Sequence, residues 1–219
     1  MFDAVIILSG GMDSATLLAH ELAQGTRPAA ISFDYGSRHN HRELPMAAAF
    51  CAHYEVPHKL VPLPFMNQLF SSSLLLSGAP VPDGAYDAET MKSTVVPFRN
   101  GILLAIAAGY AESVGAHRVL IGAHAGDHHI YPDCRPAFTA AMDSAVRLGT
   151  DNAVCVEAPF ATMDKREIGD LGRQLGVDFT TTWTCYKGEE IHCGTCGACD
   201  ERKYALRHNE GLDPTRYLR

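Results

Sequence analysis

Apolar runs that fit buried strands alternate with helical patterns through most of the chain. The strand-like runs lie at 4–8, 29–33, 59–61, 118–122 and 154–158. Helical spacing of apolar residues follows at 15–19, 43–54, 101–114, 137–148 and 164–175. Strands that alternate with helices are typical of a parallel sheet that is covered on both faces. The pattern therefore predicts a doubly wound α/β fold.

A glycine-rich loop joins the first predicted strand to the first predicted helix. Its two adjacent glycines permit a tight turn and let an anion approach the main chain, although such a pair can also be a plain turn. The unpaired N–H groups and the positive dipole end of the following helix would point at a phosphate. Neither a Walker loop nor a G-x-G-x-x-G motif fits. The predicted nucleotide-binding residues are Leu8, Ser9, Gly10, Gly11, Met12, Asp13 and Ser14.

Length, charge and cysteine content narrow the function classes. The 219 residues, 47% of them hydrophobic, suit one core with a small appendage. A net charge of −7 without a basic run argues against nucleic-acid binding. No signal peptide or membrane span is predicted, because the N-terminal apolar run and the weakly polar stretch 101–111 are both too short. Seven cysteines favour a reducing compartment, so we expect a cytoplasmic protein.

Four cysteines near the C-terminus have the spacing of metal ligands. Thiolates two residues apart can reach one ion from a tight knuckle, and four thiolates fill the tetrahedral sphere of structural zinc. An iron–sulfur cluster is the alternative, but the fourth cysteine lies upstream and no C-x3-C-P follows, which favours zinc. The predicted zinc ligands are Cys185, Cys193, Cys196 and Cys199.

A change in composition at Thr180 divides the chain. We expect residues 1–179 to form the nucleotide-binding α/β domain and residues 180–219 to form a helical tail with a four-cysteine zinc site. Within the first part, 78–91 is rich in Gly, Pro, Asp and Ala and predicts a long loop. Long unstructured loops of this kind are often lids.

Several of these segments together resemble the QueC family of 7-cyano-7-deazaguanine synthases, in the PP-loop ATP pyrophosphatase superfamily. The matching segments are 9–14, 35–39, 96–100, 131–135, 165–168 and 182–186 with the four cysteines. The resemblance runs nearly end to end, and P-D-C-R with the cysteine tail is specific within the superfamily. It implies an adenine nucleotide alpha hydrolase-like, Rossmann-like fold and a structural Zn²⁺. It also implies a homodimer that converts 7-carboxy-7-deazaguanine and ammonia to the amide and then the nitrile, with ATP and Mg²⁺.

The chemistry of such a reaction suggests roles for particular side chains. Carboxylate attack on the α-phosphate gathers negative charge that cations would stabilise. The predicted catalytic residues are Asp13, Arg38, Arg99, Asp127 and Lys165. Asp13 would position Mg²⁺ or the loop, and Asp127 would take part in metal binding or proton transfer. The predicted substrate-binding residues are Arg99, Asn100, Tyr131, Asp133 and Arg135, with Asp133 reading the guanine-like edge.

Two departures from the family pattern leave another reaction open. Family members commonly carry D-Y-S-G-Y-P-D-C-R, where this chain has His128-His129-Ile130 before Tyr131, and they often have a small residue in place of Phe98. A changed pocket would suit a divergent ligase that joins the deazaguanine carboxylate to another amine, for example on a protein or peptide, and stops at the amide.

Two further hypotheses place the chain in other classes of protein. A tRNA-thiolating PP-loop protein would need a basic face, and the acidic balance of this chain argues against one. A zinc-stabilised nucleotide-binding adaptor without turnover is the non-enzyme alternative. Consumption of ATP only in the presence of the deazaguanine acid and an amine would exclude the adaptor.

Overall fold

Five parallel strands form one sheet in the computed structural model, which describes residues 1–207 and 213–219. The strands are β1 Ala4–Ile7, β2 Pro28–Asp34, β3 His58–Pro62, β4 Arg118–Leu120 and β5 Cys155–Glu157, in the order β3-β2-β1-β4-β5. All four residues of β1 are buried, as expected for a central strand that is covered on both faces. β1 therefore lies at the middle of the sheet, where the strand order reverses between β1 and β4.

Helices cover both faces of this sheet. They are α1 Met12–Ala23, α2 Asn40–His53, α3 Pro64–Leu69, α4 Ala88–Met91, α5 Arg99–Val114, α6 Pro136–Gly149, α7 Lys165–Gln174 and α8 Gly197–Leu206. On one face Val5 and Ile7 pack with α5 and α6, and on the other Ile6 and Leu8 pack with α1, α2 and α7. The doubly wound α/β fold predicted from the apolar pattern is thus confirmed.

Three helix assignments differ from the prediction. α2 begins at Asn40 rather than at residue 43, since the polar segment before it already turns into the helix. α3 has only six residues behind Pro64, too few to give a helical pattern. The predicted loop at 78–91 holds one short helix, α4, whose N-cap Asp87 accepts hydrogen bonds from two backbone N–H groups. A capping box formed by Asp164 and Glu167 opens α7.

The cysteine-rich tail packs into the same two cores as the rest of the chain. Trp183 and the four cysteines belong to the core on the α5 face. Ala205 and Leu206, at the end of α8, belong to the core on the α1 face. The segment after residue 179 is therefore held against the α/β body on both sides of the sheet.

The described ranges contain no single helix with the length and hydropathy of a membrane span. Only the bent pair 88–94 and 99–114 meets that test when the two pieces are joined.

Candidate active site

The loop between β1 and α1 closes on itself through its two serines. The Ser9 hydroxyl lies 3.0 Å from that of Ser14 and accepts a hydrogen bond from the Gly11 N–H at 3.1 Å. Gly10 has φ +95°, and a Cβ there would collide with the main-chain carbonyl of Glu43. Only glycine meets both demands without strain. The sequence thus fixes a tight loop at the N-terminus of α1, where no side chain caps the helix.

A cavity opens beside this loop at the carboxyl ends of β1, β2 and β4, the usual ligand position in such sheets. Its wall includes the loop itself, α2, the N-terminus of α5 and the segment after β4. The C-terminal tail adds Thr184, Tyr186 and Glu201. Residues from both predicted parts of the chain therefore build one cavity.

At one end of the cavity, a buried lysine gathers acidic side chains. The Lys165 Nζ lies 2.6 Å from Asp13 Oδ2, 3.1 Å from Glu201 Oε2 and 3.2 Å from His124 Nε2. His124 Nε2 also lies 3.5 Å from Asp127 Oδ2. We call these five residues the lysine cluster.

The lysine cluster keeps its central ion pair charged. Burial raises the pKa of Asp13, but Lys165 and His124 outweigh burial and leave that pKa below its ordinary value. Burial lowers the pKa of Lys165, and the Asp13 and Glu201 carboxylates outweigh it in the opposite direction. Asp13 Oδ1 is buried and has no hydrogen-bond partner among the described residues. That oxygen fits a Mg²⁺ ion or a phosphate-bound water.

Asp127 is held from the predicted loop. The Tyr86 hydroxyl donates a hydrogen bond to Asp127 Oδ1 at 2.6 Å. Burial raises the pKa of Tyr86 well above its ordinary value, so the tyrosine keeps its proton. Two further contacts fasten the loop, because the Arg38 guanidinium donates to the Gly78 carbonyl and Lys187 lies 2.6 Å from Asp83. The loop thus contributes Tyr86 to the cavity wall.

At the other end of the cavity, a carboxylate and an imidazole lie together without a lysine or arginine in hydrogen-bond range among the described residues. His39 Nε2 is 3.5 Å from Glu43 Oε2, and the two side chains are 3% and 13% exposed. Burial raises the pKa of Glu43 to about 8 and lowers the pKa of His39 to about 4. In the Glu43–His39 pair, the pKa of the glutamate therefore lies above the pKa of the histidine, which is the reverse of their usual order.

Arg99 also lines the cavity. Its guanidinium lies 6.0 Å from the Tyr35 ring centroid and donates to the Tyr35 hydroxyl at 3.4 Å. Burial opposes the charge, but Tyr35 and Asp133 outweigh burial and raise the pKa of Arg99 well above its ordinary value. Arg99 is therefore a permanent cation at the cavity wall, suited to a carboxylate or phosphate.

Two predicted substrate-binding residues, Asn100 and Asp133, are hydrogen-bonded to each other beside Arg99. Asp133 Oδ2 accepts a hydrogen bond from the Asn100 N–H at 2.8 Å, near the N-terminus of α5. The Asn100 amide donates to the Asp133 carbonyl at 3.2 Å. Asn100 lines the cavity, whereas Asp133 does not. The Asp133 carboxylate is therefore hydrogen-bonded to the first turn of α5, the helix that also carries Arg99.

The remaining predicted site residues lie outside the cavity wall. The Tyr131 hydroxyl is buried 2.9 Å from that of Thr94. Arg135 is exposed and donates to the His128 carbonyl at 2.8 Å. Arg38 donates to the Ser73 carbonyl at 3.1 Å as well as to Gly78. These three residues therefore hold surrounding segments in place.

The departures from the family pattern also lie away from the cavity. His128, His129 and Ile130 are absent from its wall, and Ile130 packs with Tyr131. Phe98 is 59% exposed with φ +52°, and its ring stands edge-on to Phe138 at 5.7 Å. None of these residues therefore shapes the cavity wall directly.

The four tail cysteines fit a tetrahedral metal site. Their sulfurs are all buried and lie within 4.8 Å of one another, with Cys193 and Cys199 at 3.9 Å. Four thiolates at the Zn–S distance give sulfur separations of about 3.8 Å. Backbone N–H groups of Thr195 and Cys196 point at the Cys193 sulfur at 3.4 and 3.3 Å. Such donors stabilise thiolates.

The sequence prediction missed several residues of the cavity. His124 lies in the polar segment after β4 but carries no motif, and Tyr86 lies in a loop without a pattern. Glu43 belongs to the first turns of α2, where the apolar spacing indicates only an amphipathic helix. Glu201 follows the last cysteine by two residues and gives no signal at all, because only the folded tail brings it to Lys165.

The sheet order, the loop after β1 and the cavity beside it define a PP-loop protein of the ATP-using α/β class. An NMN synthetase from Francisella tularensis has the same fold, with a TM-score of 0.53 at 16% identity over 86% of this chain and 68% of that chain. The model of the queuosine biosynthesis protein QueC matches residues 3–210, and the chain belongs to the QueC family.

Two relatives cover the chain almost completely. The 7-cyano-7-deazaguanine synthase of Desulfotalea psychrophila is 65% identical over 100% of both chains. That of Porphyromonas gingivalis is 54% identical over 98% of this chain and 97% of the relative. The family resemblance read from the sequence is thereby confirmed.

Proposed function

We propose that this protein is an ATP-dependent C–N ligase that converts 7-carboxy-7-deazaguanine and ammonia to 7-cyano-7-deazaguanine, through the amide. Membership of the QueC family and full-length relatives named 7-cyano-7-deazaguanine synthase support the proposal. The structural observation that carries it is one cavity whose wall holds the loop 9–14, here called the phosphate loop, together with two cations, the buried Lys165 and the half-buried Arg99.

The phosphates of ATP bind at the loop and the N-terminus of α1. Main-chain N–H groups and the helix dipole favour the negative charge there. Lys165 lies next to Asp13 at the start of α1, so its ammonium helps to neutralise the phosphates. Asp13 Oδ1 would hold Mg²⁺, which screens the phosphate charge when bound.

The substrate carboxylate binds at Arg99 and attacks the α-phosphorus. Pyrophosphate leaves, and ammonia displaces AMP from the acyl adenylate to give the amide. A second ATP adenylates the amide oxygen, and loss of AMP yields the nitrile. Arg99 stabilises the negative charge that gathers on the reacting oxygens, because its guanidinium stays protonated throughout.

Zinc would have a structural role. The four thiolates fill its coordination sphere and leave no position for substrate. Cys199 and Glu201 share α8, so a metal bound at the cysteines fixes the helix that carries Glu201 to Lys165. The metal therefore supports the lysine cluster through the fold.

Mass spectrometry of the product tests the function. The purified protein is given 7-carboxy-7-deazaguanine, ammonium and ATP, and we expect the nitrile with two AMP and two pyrophosphate per product. Accumulation of the amide alone would instead indicate a ligase that stops after the first stage. Absence of substrate-dependent ATP consumption would indicate a binding protein.

The homodimer is a separate proposal, based on the family resemblance alone. Light scattering of the purified protein at micromolar concentration is expected to give twice the chain mass of 23.7 kDa. A single-chain mass at that concentration would contradict it.

A further inference from the structure

Four carboxylates line the cavity, and one of them differs from the rest. Asp13 and Glu201 contact the Lys165 ammonium, and Asp127 accepts a hydrogen bond from Tyr86. The Glu43 carboxylate accepts no hydrogen bond from the described residues, and the Nε2 of His39 lies 3.5 Å from its Oε2. A carboxylate held by a cation is a poor proton acceptor, whereas an unpaired and buried one is a good acceptor.

Glu43 also lies directly under the phosphate loop. The carbonyl of Glu43 contacts Gly10, and its Oε1 lies 3.8 Å from the position that a Cβ on Gly11 would occupy. The adenylated carbon of the substrate must come close to this loop, because it is bonded through oxygen to the α-phosphorus. The carboxylate is therefore on the side of the cavity where the C–O bond breaks.

The second stage of the proposed function needs a proton acceptor. Attack of the amide oxygen on the α-phosphorus expels pyrophosphate and leaves an adenylated iminium with two N–H bonds. The first proton of this acidic group passes to water. The second must leave as the C–O bond breaks, so that the N–H electron pair becomes the third C–N bond and the C–O pair departs with AMP.

We propose that Glu43 is the general base that takes this last N–H proton, with His39 positioning its carboxylate. The inference rests on the proposed function, since only a nitrile-forming enzyme needs the step. The first stage does not depend on Glu43 in the same way, because excess ammonia takes up the proton released on amide formation.

The electrostatic surroundings suit such a base. His39, just before α2, lies 3.5 Å from Glu43, and Arg99 from α5 is the cation that lowers the pKa of Glu43 against the larger effect of burial. Asp13, Tyr35 and Tyr186 line the same cavity. The pKa of His39 near 4 and the raised pKa values of Arg99 and Tyr186 keep those three unchanged in charge between about pH 6 and 9. A pKa of Glu43 near 8 lies close to the operating pH, where a general base is most effective.

The test measures the two stages separately in the Glu43→Gln variant. One assay starts from the acid with ammonium and follows the amide, and the other starts from the amide without ammonium and follows the nitrile. We expect the second rate to fall about 10²–10⁴-fold and the first to fall much less, so that amide accumulates. The wild-type rate from the amide should also rise between about pH 7 and 9, and the variant should lack this rise.

The controls separate the possible failures. Glu112→Gln makes the same chemical change on the exposed surface of α5 and should leave both rates unaltered. Suppose that the wild-type protein makes the nitrile and that Glu43→Gln slows both stages equally or slows neither. That result would overturn the role of Glu43 as the base and leave the proposed function intact. A wild-type protein that makes no nitrile from the amide would overturn the proposed function and the base together.

Discussion

Two parts of the cavity wall, the lysine cluster and the Glu43–His39 pair, shift the pKa of a carboxyl group in opposite directions. In the lysine cluster, an ammonium lies within 3.1 Å of two carboxylates and helps to hold the pKa of Asp13 below its ordinary value. In the Glu43–His39 pair, burial without a neighbouring ammonium raises the pKa of the carboxyl to about 8. A paired carboxylate can fix a geometry, and an unpaired one can exchange a proton. These environments support the roles proposed above, phosphate positioning for the lysine cluster and proton transfer for Glu43.

The origin of the two ends in the chain differs as well. The Glu43–His39 pair comes from one helix and the residue before it, so its geometry is local. The lysine cluster joins α1, the segment after β4, α7 and α8, and it exists only in the folded protein. Perturbing the fold should damage the lysine cluster first.

Metal removal is expected to have the largest effect and to act on the lysine cluster. Structural zinc contributes on the order of 10 kcal/mol in small zinc peptides, and its loss would release α8 with Glu201. Chelation should lower the melting temperature strongly and abolish ATP turnover, as measured by calorimetry and AMP release. Equal melting temperatures for metal-free and metal-loaded protein would contradict a structural metal.

The Lys165→Met variant should break the lysine cluster directly. It leaves the buried Glu201 and the half-buried Asp13 without their cation, which costs about 3–5 kcal/mol in stability. We expect kcat/KM for ATP to fall by about 10²-fold or more, because the ammonium no longer balances the phosphates. Urea unfolding and steady-state kinetics measure the two effects.

The exposed Lys92→Met substitution is the matched control and should change neither quantity. Wild-type activity in Lys165→Met would remove the lysine from the mechanism.

The Gly10→Ala variant tests the opposite end, where the loop rests on α2. The new Cβ would strain a residue at φ +95° and push against the Glu43 carbonyl. Gly25→Ala is the control, because its φ is +81° and a Cβ there meets nothing within 4 Å. Gly10→Ala should lose about 1–3 kcal/mol more than Gly25→Ala in denaturant unfolding. Equal losses would show that the loop has room to shift.

The smallest expected effect is a pH dependence of stability from Glu43. Its folded pKa of about 8 lies above the ordinary value of 4.5 that applies to the unfolded chain, so the folded state binds more protons between those values. Stability is therefore lost as pH rises toward 8, by about 2 kcal/mol from roughly pH 6.5 to 8 at about 1.36 kcal/mol per pKa unit. Urea unfolding of wild type and Glu43→Gln should show this slope in the wild type alone. A shared slope would place its origin elsewhere.

Much of the fold follows from patterns that are local in the chain. The strand at 4–8 has apolar residues on both faces, which a central strand of a parallel sheet requires, and the capping box at Asp164 marks the start of α7. α3 was not predicted because six residues are too short for a helical period.

Only part of the candidate site could be predicted from the sequence, and the reason is physical. The phosphate loop and the cysteines are recognisable, since backbone conformation and metal geometry restrict which residues fit at which spacing. Lys165 and Arg99 were found through the family resemblance. His124 and Glu201 gain their meaning from contacts across the fold, and no spacing in the chain encodes the 3.7 Å between them.

The placement of Glu201 sets an order of assembly during synthesis. Every strand of the sheet has left the ribosome once residue 157 has emerged, and the phosphate loop was made first of all. Lys165, however, contacts its second carboxylate, Glu201, only after the last cysteine has emerged and α8 has packed against α7. A chain cut short before residue 199 would carry a complete sheet but would lack Glu201, and its lysine cluster would be incomplete. We therefore expect metal supply at that moment to decide whether a newly made molecule matures or is degraded.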